Sequence, residues 1–377
     1  MHNSDPTRII TLEGTDVRFP CSSDDTILRA ALRAGIGFPY ECNVGACGNC
    51  KFQLVDGELE QRWSDAPGRT AKDRERARYL GCQSAPNGDC TIKVRPTAQY
   101  VPVHAPHRVA ATLTARRDIT HDIVEFRFAL DTPMAFEPGQ YALLTLPGVT
   151  GQRAYSMSNV FDPALPELHF QVRRVPGGQG TATLFDTVAL GTRIEIDGPY
   201  GHAWLRRDLP RDIVCIAGGS GLAPMISIAR GVAAEPRLKD VNLHFLYGGR
   251  TSADICGRDM LETLPGFNER ILYRSAISSP DGNAAAASDA PGVAGMAAVA
   301  GTPGTPGTPG TPISSGTAAV QADHIGFVHD MAQSLLGERL RDMEIYFAGP
   351  PAMGAAVQQM LLAHQVSFDH VHFDQFY

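Results

Sequence analysis

The spacing of four cysteines constrains this 377-residue chain more than any other feature. Cys42, Cys47 and Cys50 read C-x4-C-x2-C, and Cys82 follows after a gap of thirty-one residues. Three thiolates on one short loop with a distant fourth form the ligand pattern of a [2Fe–2S] cluster, a carrier of single electrons. A structural zinc site favours two short C-x2-C knuckles instead. Wrapping a loop closely around a cluster needs left-handed backbone, and Gly45 and Gly48 stand between the cysteines to supply it. The loop's amide N–H groups are then expected to point at the sulfurs and tune the potential. Cys21, Cys90, Cys215 and Cys256 fit no ligand spacing and read as ordinary, mostly buried thiols.

The chain is far longer than one cluster-binding unit, and its length predicts two to three domains at about 150 residues each. With 43% hydrophobic and 19% charged residues, it has enough apolar surface for packed cores, which excludes global disorder. A net charge of −7 argues against a nucleic-acid partner. No run of about eighteen apolar residues predicts a membrane span. Met1–Arg8 is polar and lacks a signal-peptide core, so a reduced cytoplasm is the expected compartment.

Residues 1–96 read as a compact α+β unit. Alternation on either side of Gly14 signals a hairpin, and Ser23-Asp24-Asp25 is expected to cap a short helix bearing Ile27, Leu28, Ala31 and Leu32 and ended by Gly35. Lys51–Val55 and Thr91–Val94 read as strands. Residues 97–107, with two prolines, read as a linker. Between 108 and 208, strands at Val109–Thr114, Ile123–Phe128, Tyr141–Leu146 and Leu168–Val175 suggest a small antiparallel β-barrel. From 209 to 377, apolar runs at Ile213–Ala217, Val241–Tyr247, Ile271–Ile277 and Glu344–Ala348 alternate with helical stretches, the pattern of an α/β parallel-sheet domain. Residues 280 to about 320, with four Gly-Thr-Pro triplets, read as a low-complexity insertion with too little apolar surface to pack.

Two further motifs carry chemistry. Gly177-Gly178-Gln179-Gly180-Thr181 precedes a helical stretch, so Gly178, Gly180 and Thr181 are positioned to offer N–H groups to a phosphate. Gly218-Gly219-Ser220-Gly221-Leu222-Ala223-Pro224 follows an apolar strand and opens a helix. Gly219 and Gly221 let backbone approach a pyrophosphate, and Pro224 suits a first helical turn.

With Arg153-Ala154-Tyr155-Ser156 added, the chain resembles the ferredoxin–NAD(P)+ reductase superfamily, whose flavin motif is R-x-Y-[ST] and whose nicotinamide loop is G-x-G-x-x-P. The resemblance implies that Arg153 pairs with the pyrophosphate of FAD, that Tyr155 packs on the isoalloxazine and that Ser156 approaches its reactive N5. A later C-G-x-x-x-M motif of the family appears here with Ala348 in place of the cysteine before Gly349. Any thiol role at that position is thereby in doubt. The family's terminal aromatic implies that Phe376 covers one flavin face while Phe373 packs inward, although both rings could instead fill a core at a strand end. Phe38–Asn43, Trp63–Gly68 and the His-Phe-Asp-Gln-Phe ending are similar to reductases of bacterial toluene monooxygenases. The implied activity is transfer of electrons from NADH through FAD to the [2Fe–2S] cluster. The implied acceptor is a diiron hydroxylase component or its Rieske-type ferredoxin, with the reductase of a ring-hydroxylating dioxygenase as the alternative. A cluster-based redox sensor is the rival from another class, but it would need no nucleotide loop. NADH is expected over NADPH because Asp254 stands near Arg250 as an acceptor for a ribose 2′-hydroxyl.

Overall fold

The computed structural model describes residues 7–279 and 322–375. The expected insertion at about 280–320 and Phe376 lie outside the described residues.

Three large sheets follow one another along the chain, with a two-stranded one, Leu59–Gln61 and Ser84–Pro86, beside the first. The first has five strands in the order Arg18–Ser22, Thr7–Leu12, Cys90–Lys93, Lys51–Asp56, Arg78–Leu80. Helix Ile27–Arg33 lies on it and buries Ile27, Leu28, Ala31 and Leu32. Its cap is Thr26, whose hydroxyl accepts from the Arg29 N–H, and not the preceding Ser-Asp-Asp. Asp25 is turned inward instead: it accepts from the Thr26 N–H at 2.8 Å and pairs with Arg33. Gly35 ends the helix at φ +72°, a conformation that only glycine adopts cheaply.

The second sheet has six antiparallel strands in the order Arg153–Ser156, Tyr141–Thr145, Arg193–Tyr200, His107–Asp118, Ile123–Leu130, Glu167–Arg173. A bridge between Met157 and Phe170 joins its two ends, so the sheet is a nearly closed barrel. Two of these strands, Arg153–Ser156 and Arg193–Tyr200, are additional to the four expected. The expected linker is also shorter than its sequence suggests: His107 already belongs to the barrel, and the Thr97 N–H donates to the Gly37 carbonyl at 2.9 Å.

The third sheet has six parallel strands in the order His324–Ile325, Ile271–Ile277, Leu243–Gly249, Ile213–Gly218, Glu344–Gly349, Val371–Gln375. Strand Ile213–Gly218 is buried throughout, because helices cover both faces of a parallel sheet. Strand order reverses around it, and ligands of such sheets bind at the carboxyl ends beside that switch point.

The cores of the first two units are continuous. Tyr141, Leu143 and Tyr200 of the barrel pack in one apolar cluster with Leu28, Phe38 and Tyr40 of the first unit. Polar groups cross the same seam. Arg33 makes a two-pronged ion pair with Asp197 at 2.9 and 2.8 Å, and Asp197 is 0% exposed.

Candidate active site

The cysteine loop lies between helix Ile27–Arg33 and strand Lys51–Asp56. Gly45 and Gly48 have φ of +93° and +80°, as the loop's tight wrap demands. The four sulfurs form two pairs. The Cys47 thiol bonds the Cys42 thiol, with the Cys47 N–H also reaching the Cys42 Sγ at 3.3 Å, and the Sγ atoms of Cys50 and Cys82 are 3.4 Å apart. They do not converge on one point: among the described residues, the one set of three or more possible ligand atoms within 4.8 Å of one another is His121, Asp122 and Asp254. A single tetrahedral zinc would draw all four thiolates together, whereas two pairs suit a two-iron cluster. Within each pair one thiol is favoured as the thiolate: Cys42 and Cys50 are pushed down, while their partners Cys47 and Cys82 are pushed up. The Cys47 thiol and then the amides of Cys47, Val44 and Ala46 hold the Cys42 thiol well below its ordinary range, against burial.

Contacts from the barrel hold this loop. Tyr141 donates its hydroxyl to the Glu41 carbonyl at 2.5 Å, and the Gly201 N–H donates to the Tyr40 hydroxyl at 3.0 Å. Arg29 donates to the Asn43 side chain and carbonyl, both at 3.2 Å, and to Gln152, the neighbour of Arg153.

A cavity of about 480 Å³ opens beside the loop. Arg153, Tyr155 and Ser156 line one wall, Gly178, Gly180 and Thr181 a second, and Ser220 and Cys42 approach from the nucleotide loop and the cluster loop. The sequence motifs thus meet in space although more than 170 residues separate Cys42 from Ser220. The glycines matter sterically: a Cβ on Gly180 would lie 2.9 Å from Arg153 Cγ and 3.3 Å from the Tyr155 hydroxyl. Of the expected N–H donors, that of Gly178 is used within the turn, donating to the Val175 carbonyl at 3.0 Å, and the Thr181 side chain serves the same turn. Its hydroxyl accepts from the Val175 N–H at 3.2 Å and sits 3.1 Å from the Gly178 carbonyl, so it holds the turn closed.

At the switch point of the parallel sheet, Gly221 packs against the Ala348–Gly349 backbone, while Gly219 faces Arg173. A Cβ on Gly221 would lie 1.9 Å from the Ala348 carbonyl oxygen, and one on Gly349 would lie 2.5 Å from Met353 Cε. Pro224 lies in the first turn of helix Leu222–Ala234. Ser227 and Arg230 tie this helix to the barrel, donating to the Asn159 and Ser158 carbonyls at 2.7 Å each. One oxygen of Asp254 is taken up locally, while its Oδ1 lies 4.0 Å from Arg173 Nη2. The Asp254 carboxylate accepts from the Thr251 N–H and hydroxyl in a capping box.

Several contributors escaped the sequence reading. Asp374 lines the 480 Å³ cavity and a second one of about 330 Å³. Burial, reinforced by Glu41, pushes its carboxyl up to about 7, and its Oδ2 has no partner among the described residues. Arg173 also lines the larger cavity, and its Nη1 would stand 3.2 Å from a Cβ on Gly219. Arg173 belongs to no motif, and Asp374 lies within the His-Phe-Asp-Gln-Phe ending, where only the aromatic residues were given roles. Phe373 stacks on Phe347 with ring centres 4.8 Å apart, the inward packing expected of it.

A paired-thiol loop, a phosphate- and ring-sized cavity and a nucleotide crevice in one chain define an electron-transferring oxidoreductase. Family models match all three regions: a 2Fe-2S iron-sulfur cluster binding domain over residues 10–87, an oxidoreductase FAD-binding domain over 110–204 and an oxidoreductase NAD-binding domain over 215–287. The chain is 41% identical to the ferredoxin–NAD(+) reductase component of the alkene monooxygenase system of Xanthobacter autotrophicus, over 67% of this chain and 76% of that one. It is 34% identical to the electron transfer component of xylene/toluene monooxygenase of Pseudomonas putida, over 69% and 72%. The solved ferredoxin reductase in carbazole 1,9a-dioxygenase superposes with a TM-score of 0.83 at 31% identity, covering 100% of both chains. The chain belongs to the ferredoxin–NAD(P)+ reductases of oxygenase systems, with cluster, flavin and nucleotide units in that order. Its cofactors are a [2Fe–2S] cluster, FAD and NADH.

Proposed function

We propose that this chain is the reductase component of a multicomponent aromatic-hydrocarbon monooxygenase of the toluene type. Electrons pass from NADH through FAD to the cluster, and then to the oxygenase or its Rieske-type ferredoxin. One observation carries the reading: residues of all three motifs open onto the single 480 Å³ cavity. FAD takes up a hydride's two electrons together and gives them up singly, which the one-electron cluster requires.

The chain's own groups divide the remaining work. Cys42, Cys47, Cys50 and Cys82 hold the cluster. Arg153, with the N–H groups of Gly180 and Thr181, takes the flavin pyrophosphate, while Gly178, whose own N–H donates to the Val175 carbonyl, turns the chain toward it. Tyr155 packs on the ring system, and Ser156 offers its hydroxyl at the reacting edge. Gly219, Gly221, Pro224 and Gly349 shape the crevice that admits NADH. Phe376 is assigned to cover the flavin face on family resemblance alone. The same reading divides the chain at 1–96, 97–107, 108–208 and 209–377.

Anaerobic titration with NADH tests the proposal. Flavin and cluster absorbance are expected to bleach in sequence, with NADPH less effective. A cluster that stays oxidised while the flavin is reduced would overturn it. The full-length similarity to the carbazole dioxygenase reductase supports a second reading, service to a ring-hydroxylating dioxygenase. Reconstitution with each type of oxygenase separates the two.

A further inference from the structure

The cluster loop has two sides. Cys42 opens onto the flavin cavity, which is where electrons enter. Away from it, residues 62–78 fold against the two loop glycines. The Gly68 N–H donates to the Gly45 carbonyl at 2.9 Å. A Cβ on Gly45 would lie 3.1 Å from the Trp63 ring, and one on Gly48 2.7 Å from the Gly68 carbonyl. Between these glycines stands Cys47, the one ligand cysteine that is not fully buried. Trp63 therefore touches the loop, yet 46% of its surface is exposed. Exposed tryptophan flanked by arginine is the composition that dominates protein–protein binding energy.

The charge of this segment is opposite to that of the whole. Residues 62–78 carry six Arg or Lys and three Asp or Glu, in a chain of net charge −7. Three of the cations are used within the fold. Arg62 donates to the Ser23 and Asp25 carbonyls, Arg69 to the Arg78 carbonyl, and Arg74 to the Ser64 carbonyl and Asp65. Lys72, Arg76 and Arg78 are exposed and make no side-chain ion pair or hydrogen bond among the described residues. Asp73, between them in sequence, is buried on Thr70 and Lys51, and exposed Glu75 offsets one of the three cations, which leaves two positive charges in excess.

We propose that Trp63 with Lys72, Arg76 and Arg78 forms the docking surface for a small acidic ferredoxin, the acceptor of the cluster's electron. The inference rests on the reading of this chain as a reductase. Charge complementarity selects an acidic partner, and the cavity that would hold the flavin takes up the other approach to the cluster. One electron crosses per encounter, oxidising this cluster and reducing the acceptor's by one, with no bond or proton exchanged. A surface of free cations also speeds encounter, an effect that salt screens.

The test uses the full-length holoprotein with an acidic plant-type ferredoxin as probe and basic cytochrome c as its opposite. In wild type, the Kd for the ferredoxin is expected to weaken about tenfold from low to high salt. Lys72→Glu/Arg76→Glu/Arg78→Glu should weaken that Kd at least about tenfold, abolish the salt dependence and tighten cytochrome c binding. Trp63→Ala should weaken ferredoxin binding about tenfold at every salt concentration. In both variants NADH should still bleach the cluster when no acceptor is present. Unchanged Kd and salt dependence would overturn the docking surface, as would loss of binding to an oxygenase component with ferredoxin binding intact. Failure of NADH to bleach the wild-type cluster would instead count against the reductase reading itself.

Discussion

At the scale of single residues, what could be read from sequence depended on how strictly chemistry fixes spacing. Cys42, Cys47, Cys50 and Cys82 were legible because a two-iron cluster tolerates few arrangements of four thiolates. Replacing Cys82 with Ser should remove the iron–sulfur absorbance while NADH still reduces ferricyanide through the flavin. An intact visible spectrum in the purified variant would show that Cys82 is not a ligand. Gly221 is bound by sterics of equal severity, since a Cβ would overlap the Ala348 carbonyl at 1.9 Å. Gly221→Ala should cost about 1–3 kcal/mol of stability and weaken NADH binding, read by denaturant midpoint and flavin reduction at limiting NADH. Asp374 was not legible. Its raised pKa comes from the packing of a C-terminal strand against a loop more than 300 residues earlier, and no local pattern encodes that meeting.

Elements were read well where hydrophobic periodicity was strong and poorly where function interrupts it. Ile213–Gly218 runs only one residue past its expected end, because a strand buried on both faces is one apolar run. Arg193–Tyr200 was missed because alternating charge and a Gly-Pro pair near its end read as a turn. The short helix was found but its cap was misassigned, because three possible caps precede Thr26 and only the fold decides among them. The described residues on either side of the insertion are both anchored in the nucleotide sheet. The Ser279 N–H donates to the Arg250 carbonyl at 2.8 Å, and Asp323 accepts from the Ser275 N–H at 2.8 Å. Excising residues 283–318 leaves both anchors in place. The excised protein should oxidise NADH within about twofold of the wild-type rate, since closing a shorter loop changes entropy slowly. A loss of NADH binding would make the segment part of the site.

For the whole molecule, the seam between the cluster unit and the barrel decides how the centres are held. Arg33→Met should leave Asp197 buried without its two-pronged partner, at a cost of about 3–5 kcal/mol. Thermal unfolding and slower passage of electrons from flavin to cluster would report it. His202 adds a pH dependence at the same junction, with its ring 4.5 Å from Tyr40 and 4.8 Å from Tyr100. Burial, with the Arg206 charge second, holds its pKa at about 4 against an ordinary 6.5. The unfolded chain therefore binds a proton that the folded one refuses. The stability contributed by neutral His202 is whole above pH 6.5 and falls away as pH drops towards 4. Denaturant midpoints measured across this window should slope less in His202→Gln than in wild type, whereas equal slopes would show that the imidazole does not titrate there. The apolar cluster shared by Leu28, Phe38, Tyr141 and Tyr200 has a further consequence, for recombination between related genes. A crossover within the 97–107 connector would cut the chain at a loop but split one core between two parents. Chimeras that exchange the cluster unit alone should inherit mismatched halves, and viable ones should carry the barrel's side of the seam along with it.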